Sequence, residues 1–227
     1  MHQFEFFPET ALVSPLPAAP GTGAGAATIT LETDADALAR EALLDRAMGP
    51  GRTRKSSEKL RRGRLPAAGL AFAARDGAGR LVGTVRLWNV TAAQSPSPSG
   101  LLLLGPLAVE PSLKGAGIGA ALMRHAIGEA GRLGHGAILL VGDPDYYRRF
   151  GFSADKTDAL AMPGPYEKHR LLALELRPGV LDGASGVLGA CGKRSTRSRA
   201  RRMAAYPASR DFASGRSTGR SQQKARR

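Results

Sequence analysis

The chain has 227 residues, room for one domain of ordinary size with extensions, and 42% of them are hydrophobic, enough for a core. Its net charge of +14 is concentrated at one end: Gly183 to Arg227 holds twelve Lys and Arg against the single acid Asp211, whereas residues 1 to 182 are nearly balanced. A lone cysteine, Cys191, excludes an intramolecular disulfide and any cysteine-based metal cluster, and no apolar run approaches the ~20 residues that span a bilayer.

The opening MHQFEFFPET lacks a basic n-region, and Pro8, Pro15, Pro17 and Pro20 interrupt the apolar residues near it, unlike a secretory signal. A cytoplasmic protein is expected. Residues 1–26 read as a disordered leader ending in Gly21, Gly23 and Gly25, a run with no helix after it and so a linker rather than a phosphate loop. Residues 27–177 are expected to form the domain, and residues 178–227, rich in Ser, Arg, Gly and Ala, a disordered basic tail.

Within the domain, Thr28 to Leu31 predicts a short strand. Thr33 with Asp36 three residues on predicts a capping-box start to a helix that runs to Met48, stopped by Gly49-Pro50-Gly51. Residues 52–64 carry seven Lys and Arg against Glu58 alone. They read as a solvated second helix and loop, or as a surface for an anionic ligand. Strands around Gly69–Ala74 and Leu81–Val90, joined at Asp76-Gly77-Ala78-Gly79, predict a hairpin, with Trp88 as core or rim packing. A Ser/Pro loop over residues 94–100 follows.

Leu101 to Val109 is apolar almost throughout, as befits a strand covered on both faces. Proline removes a ladder donor, so Gly105-Pro106 predicts a bulge. A helix from about Gly117 to Leu133 and an apolar strand Ala137–Val141 come next, and the short return implies that the two strands are parallel neighbours. A bulged strand splays from a parallel neighbour and opens a slot. An extended chain bearing amides, such as the pantetheine arm of coenzyme A, fits such a slot and pairs with Leu107 and Val109 as an added strand would. At its mouth stands the loop Lys114-Gly115-Ala116-Gly117-Ile118-Gly119, ahead of a helix whose first amides attract phosphate. The spacing matches neither a Walker loop nor the nicotinamide fingerprint.

These residues resemble the GCN5-related N-acetyltransferase (GNAT) family, whose signature is Arg or Gln, two residues, Gly, one residue, Gly or Ala. Lys114 departs from that first position. Leu107-Ala108-Val109-Glu110-Pro111 is similar to the family's strand, and Tyr147-Arg148-Arg149-Phe150-Gly151-Phe152 to its closing Tyr-x-x-x-Gly-Phe element; Gly142-Asp143-Pro144 before the tyrosines resembles a bacterial subgroup. The resemblance covers about residues 27 to 177. It implies an α/β fold of the α+β kind, with a mixed, mostly antiparallel sheet splayed at the bulge and flanked by helices. It implies an acyltransferase moving an acetyl group from acetyl-coenzyme A to an amine, small molecule or protein, by direct attack. Leu107, Ala108, Val109, Lys114, Gly115, Ala116, Gly117, Ile118, Gly119 and Ala120 would bind the coenzyme. The Leu107 amide would hydrogen-bond the thioester oxygen, and Tyr147, with Tyr146 as rival, would protonate the departing thiolate.

Asp143 reads as a helix cap before it reads as a group orienting the amine. His125, His135 and His169 read as structural or solvated, and no metal site is assigned. If residues 52–64 lie over the acceptor side, their positive field favours neutral or acidic amines. Two other readings stand beside this one: a non-catalytic acyl-coenzyme A sensor, and nonspecific nucleic-acid binding through the basic tail.

Overall fold

A computed structural model describes residues 27–94 and 100–195. The expected leader, most of the Ser/Pro loop and the tail beyond Ser195 lie outside the described residues. The strands are β1 (Thr28–Leu31), β2 (Ala71–Arg75), β3 (Leu81–Thr91), β4 (Leu101–Val109), β5 (Ala137–Val141), β6 (Leu160–Ala161), β7 (Leu171–Glu175), β8 (Gly186–Val187) and β9 (Gly189–Ala190). The helices are α1 (Ala37–Met48), α2 (Glu58–Arg61), α3 (Ile118–Arg132) and α4 (Pro144–Tyr147).

The main sheet runs β1-β2-β3-β4-β5-β7, with β9 also on β3. Its neighbours are antiparallel except for β4 and β5. Strand β3 is long enough to pair with β4 along one edge while its other edge takes β2 first and β9 last. The expected mixed, mostly antiparallel sheet with flanking helices is the architecture found.

Strand β4 shows why an unbroken apolar run was needed. Leu102 and Leu104 enter a core shared with Ile118, Leu122, Met123, Ala126 and Ala130 of α3, while Leu101 and Leu103 enter a second core on the opposite face. The cover of that second face includes Val180, Leu181, Ala184 and Leu188, all buried. The expected boundary at residue 177 is therefore corrected: the folded body continues to Ser195. Residues 178–190 have tail-like composition over much of their length. Four of their apolar side chains nevertheless fill a face that would otherwise leave Trp88, Val90, Leu139 and Ala173 in water.

The bulge is where the two strands part. Leu104 faces Leu87 and Leu107 faces Val85, so Gly105 and Pro106 together oppose Arg86 alone. The extra residue inverts side-chain parity: Leu102 and Leu104 lie on the α3 side before it, Leu107 and Val109 after it. Parallel pairing of β4 with β5 stops at Leu103 and Leu139. Beyond that point the β5-facing edge of β4 is open.

Candidate active site

Backbone groups at the open edge follow from the ladder. The Glu110 amide donates to the Val82 carbonyl at 2.8 Å, so Glu110 is bonded towards β3. Hydrogen-bonded and non-hydrogen-bonded residues alternate along an antiparallel strand, which turns the amides of Leu107 and Val109 to the open edge. Trp88 pins the bulge by donating its indole N–H to the Gly105 carbonyl at 2.5 Å. The sequence expectation for Trp88, buried packing, holds, but this bond across 17 residues carries no local signal.

The glycine loop lies at the end of the slot. Gly115 and Gly117 have φ of +92° and +79°, in the left-handed region open to glycine, and nothing lies within 4 Å of where a Cβ would stand on either. The first intrahelical bond of α3 runs from Ala121 N to Gly117 O, 3.0 Å, leaving the amides of Ile118, Gly119 and Ala120 free of helical acceptors. A cavity of about 730 Å³ opens here. It is lined by Leu107, Ala108, Val109, Lys114, Gly115, Gly117, Ile118, Gly119 and Ala120, every expected coenzyme residue except Ala116. Arg46, Met48, Tyr146 and Arg149 also line it and were not foreseen there. Arg46, paired with Glu110 at 2.8 Å, arrives from α1. The Arg149 guanidinium lies 4.3 Å from the Tyr146 ring centroid, fixed by a 2.9 Å bond from Nε to the Tyr146 carbonyl. Cations, free amides and open glycine faces converge here, the donor set that anion-binding helix N-termini use.

A second, smaller cavity of about 120 Å³ lies on the other side of the bulge, and Leu107 and Met48 line both. Gly105, Leu140 and Tyr147 also border it, under a lid of residues from the 52–61 segment. Tyr147 thus faces the small cavity and Tyr146 the large one. Asp143 caps α4, its carboxylate accepting from the Asp145 amide at 3.2 Å, the expected role. The Tyr147 ring rests on Gly142, where a Cβ would come within 2.1 Å of its Cε2, and edge-on to Tyr146 and Phe152. Burial, and then the neighbouring Tyr146, push the Tyr147 hydroxyl above the ordinary tyrosine pKa, so it keeps its proton at neutral pH.

The described histidines stand apart from this junction: His125 is exposed with its ring edge-on to Phe72, and His169 is exposed beside Glu167. Burial holds His135 below its ordinary pKa, helped by Arg177. Among the described residues no three His, Cys, Asp or Glu side chains gather as a metal requires, and no helix is long and apolar enough to cross a membrane.

Comparison with known proteins bears on the same segment. Residues 67–154 match the model of the acetyltransferase (GNAT) domain. The chain is 26% identical over 157 residues to the uncharacterized N-acetyltransferase YhbS of Escherichia coli K12, covering 69% of this chain and 92% of that protein. The crystal structure of E. coli YhbS in complex with CoA superposes with a TM-score of 0.63, covering 76% of this chain and 94% of that one. A GNAT acetyltransferase from Brucella melitensis, solved with acetyl-CoA, shares the fold at 23% identity and a TM-score of 0.51, covering 73% and 96%. The stretch so matched, residues 67–154, holds the splayed strand and the glycine loop, and over it the chain is similar to the acetyltransferase domain of the GNAT family.

Proposed function

We propose that the protein transfers an acetyl group from acetyl-coenzyme A to a primary amine within a ternary complex. The observation that carries this reading is the meeting of the two cavities at Leu107, beside the bulge and within reach of the Tyr147 wall. The large cavity suits the coenzyme: Lys114, Arg46 and Arg149 offer cations and the α3 amides offer donors to its pyrophosphate, while the Leu107 and Val109 amides offer donors to its pantetheine arm. Bound there, the coenzyme supplies the activated acetyl group. YhbS and the Brucella protein, crystallised with CoA and acetyl-CoA, support this choice.

In this reading the Leu107 amide donates to the carbonyl oxygen, where negative charge builds as the amine adds. The new C–N bond forms, the C–S bond breaks, and Tyr147 gives its phenolic proton to the sulfur. The nitrogen loses one proton to solvent, from which Tyr147 is re-protonated. A buried tyrosine with a raised pKa suits this task because it reaches neutral pH still protonated. Incubation with acetyl-coenzyme A and a panel of amines and proteins, followed by thiol release and mass spectrometry, tests the reading. Expected is at least one product heavier by an acetyl group. Coenzyme A binding with no transfer to any acceptor would replace it with a non-catalytic sensor.

A further inference from the structure

The small cavity joins an apolar floor of Leu104, Pro106 and Leu140 to a charged lid holding Arg52, Lys55 and Arg61 against one lining carboxylate, Glu58. The cations differ in how they are satisfied. Arg52 is spoken for: its guanidinium bonds Glu41 and Asp45, each at 2.7 Å. Arg61 is not. Its side chain is only 10% exposed, its Nε is buried with no hydrogen-bond partner, and Nη2 makes long contacts, 3.3 Å to the Ser57 hydroxyl and 3.2 Å to Glu58. Nη1 hangs over the bulge, 3.7 Å from where a Cβ would stand on Gly105. Lys55 stands exposed at the cavity with no partner among the described residues.

A buried guanidinium with an idle N–H carries a desolvation cost that an anion at the same place removes. Burial, only partly offset by Glu58, holds Arg61 below the ordinary arginine pKa, though a guanidinium remains charged at neutral pH. A cationic acceptor would instead bring its charge against Lys55 and Arg61, with Glu58 already turned to Arg61. Given the acetyl transfer proposed above, we infer that the acceptor is a primary amine bearing a carboxylate, which sits against Arg61 and Lys55 while the amine points to Leu107 and Tyr147. A cavity of about 120 Å³ admits a small amino acid or the first residue of a chain rather than a folded surface.

Matched pairs of acceptors test this on the full chain with saturating acetyl-coenzyme A: 4-aminobutyrate against butylamine, alanine against ethylamine, and, both amidated at the C-terminus, the peptide Asp-Ala-Ala against Lys-Ala-Ala. The carboxylate partner should win in kcat/KM by at least about tenfold, the worth of one charge-assisted hydrogen bond. If the free acids carry that preference the acceptor is a small amino acid; if only Asp-Ala-Ala does, it is an acidic chain terminus. Lys55→Ala, at an exposed position, and Arg61→Lys should each shrink the preference to within about threefold, mainly through KM, with coenzyme A affinity unchanged. Equal use of both members of every pair, or faster acetylation of spermidine, overturns the inference and leaves acetyl transfer standing. Intact coenzyme A binding without acetylation of any of them overturns the transferase reading and this inference with it.

Discussion

Replacing Gly142 by Ala puts one methyl group against the proposed acid. The new Cβ would lie 2.1 Å from Tyr147 Cε2, 2.6 Å from Cδ2 and 3.0 Å from Leu140 Cδ1. Carbon atoms settle at about 3.5–4.0 Å, so the ring must retreat by roughly 1.5 Å. The Gly142 backbone is outside the left-handed region, which leaves the whole penalty steric. Retreat is resisted on the far side by Tyr146 and Phe152, with ring centroids 5.0 and 6.0 Å from that of Tyr147, so overpacking should cost about 1–3 kcal/mol of stability. A hydroxyl displaced by more than 1 Å loses its alignment with the leaving sulfur, and about a hundredfold in kcat should follow. The large cavity proposed for the coenzyme does not include Gly142, and coenzyme A affinity should stay within about threefold. Thiol-release kinetics, titration calorimetry and urea unfolding measure the three quantities. Wild-type kcat in a destabilised Gly142→Ala protein would refute the placing of Tyr147 at the chemistry.

Tyr147→Phe should lower kcat about 10²-fold or more at neutral pH with little change in coenzyme A affinity. In the wild type, activity should rise as the amine loses its proton and persist past the ordinary tyrosine range, because the raised pKa keeps the phenol protonated there; it should fall only above that pKa, and the Phe variant should lack this alkaline fall. Gly119→Leu should weaken coenzyme A binding about tenfold or more by calorimetry, since a Cβ already sits 3.5 Å from Val109 and 3.6 Å from the Tyr146 hydroxyl; Gly119→Ala should bind nearly normally. A chain ended at residue 177 should lose at least about 5 kcal/mol with Val180, Leu181, Ala184 and Leu188, and fail to give a cooperative melt, whereas one ended at Ser195 should melt like the full chain. That shorter deletion also isolates the tail beyond Ser195, with its ten Lys and Arg: it should abolish salt-sensitive retention on a DNA column and spare coenzyme A binding, and retained DNA affinity would refute the tail's role.

What the amino-acid order determined by itself is local. Gly105-Pro106 announces its bulge because proline lacks the ladder donor, Gly115 and Gly117 announce the loop because their φ values suit glycine, and Asp143 announces its cap one turn ahead of Tyr147. The unbroken apolar run Leu101 to Leu104 foretold a strand covered twice, yet gave no hint of what would cover it. Residues 178–190 supply part of that cover because a few apolar side chains outweigh a Gly- and Ser-rich composition once a bare sheet face is beside them. Arg46 and Met48 reach the large cavity from α1, Trp88 reaches the bulge carbonyl across 17 residues, and Arg61 hangs over the bulge from α2. Each of these approaches is to residues far off in the sequence, so no spacing records them. The tertiary structure decided them, because only packing α1 against β4 and β3, and α2 against β3 and β9, brings charges from residues 46–61 to a slot built from residues 104–147.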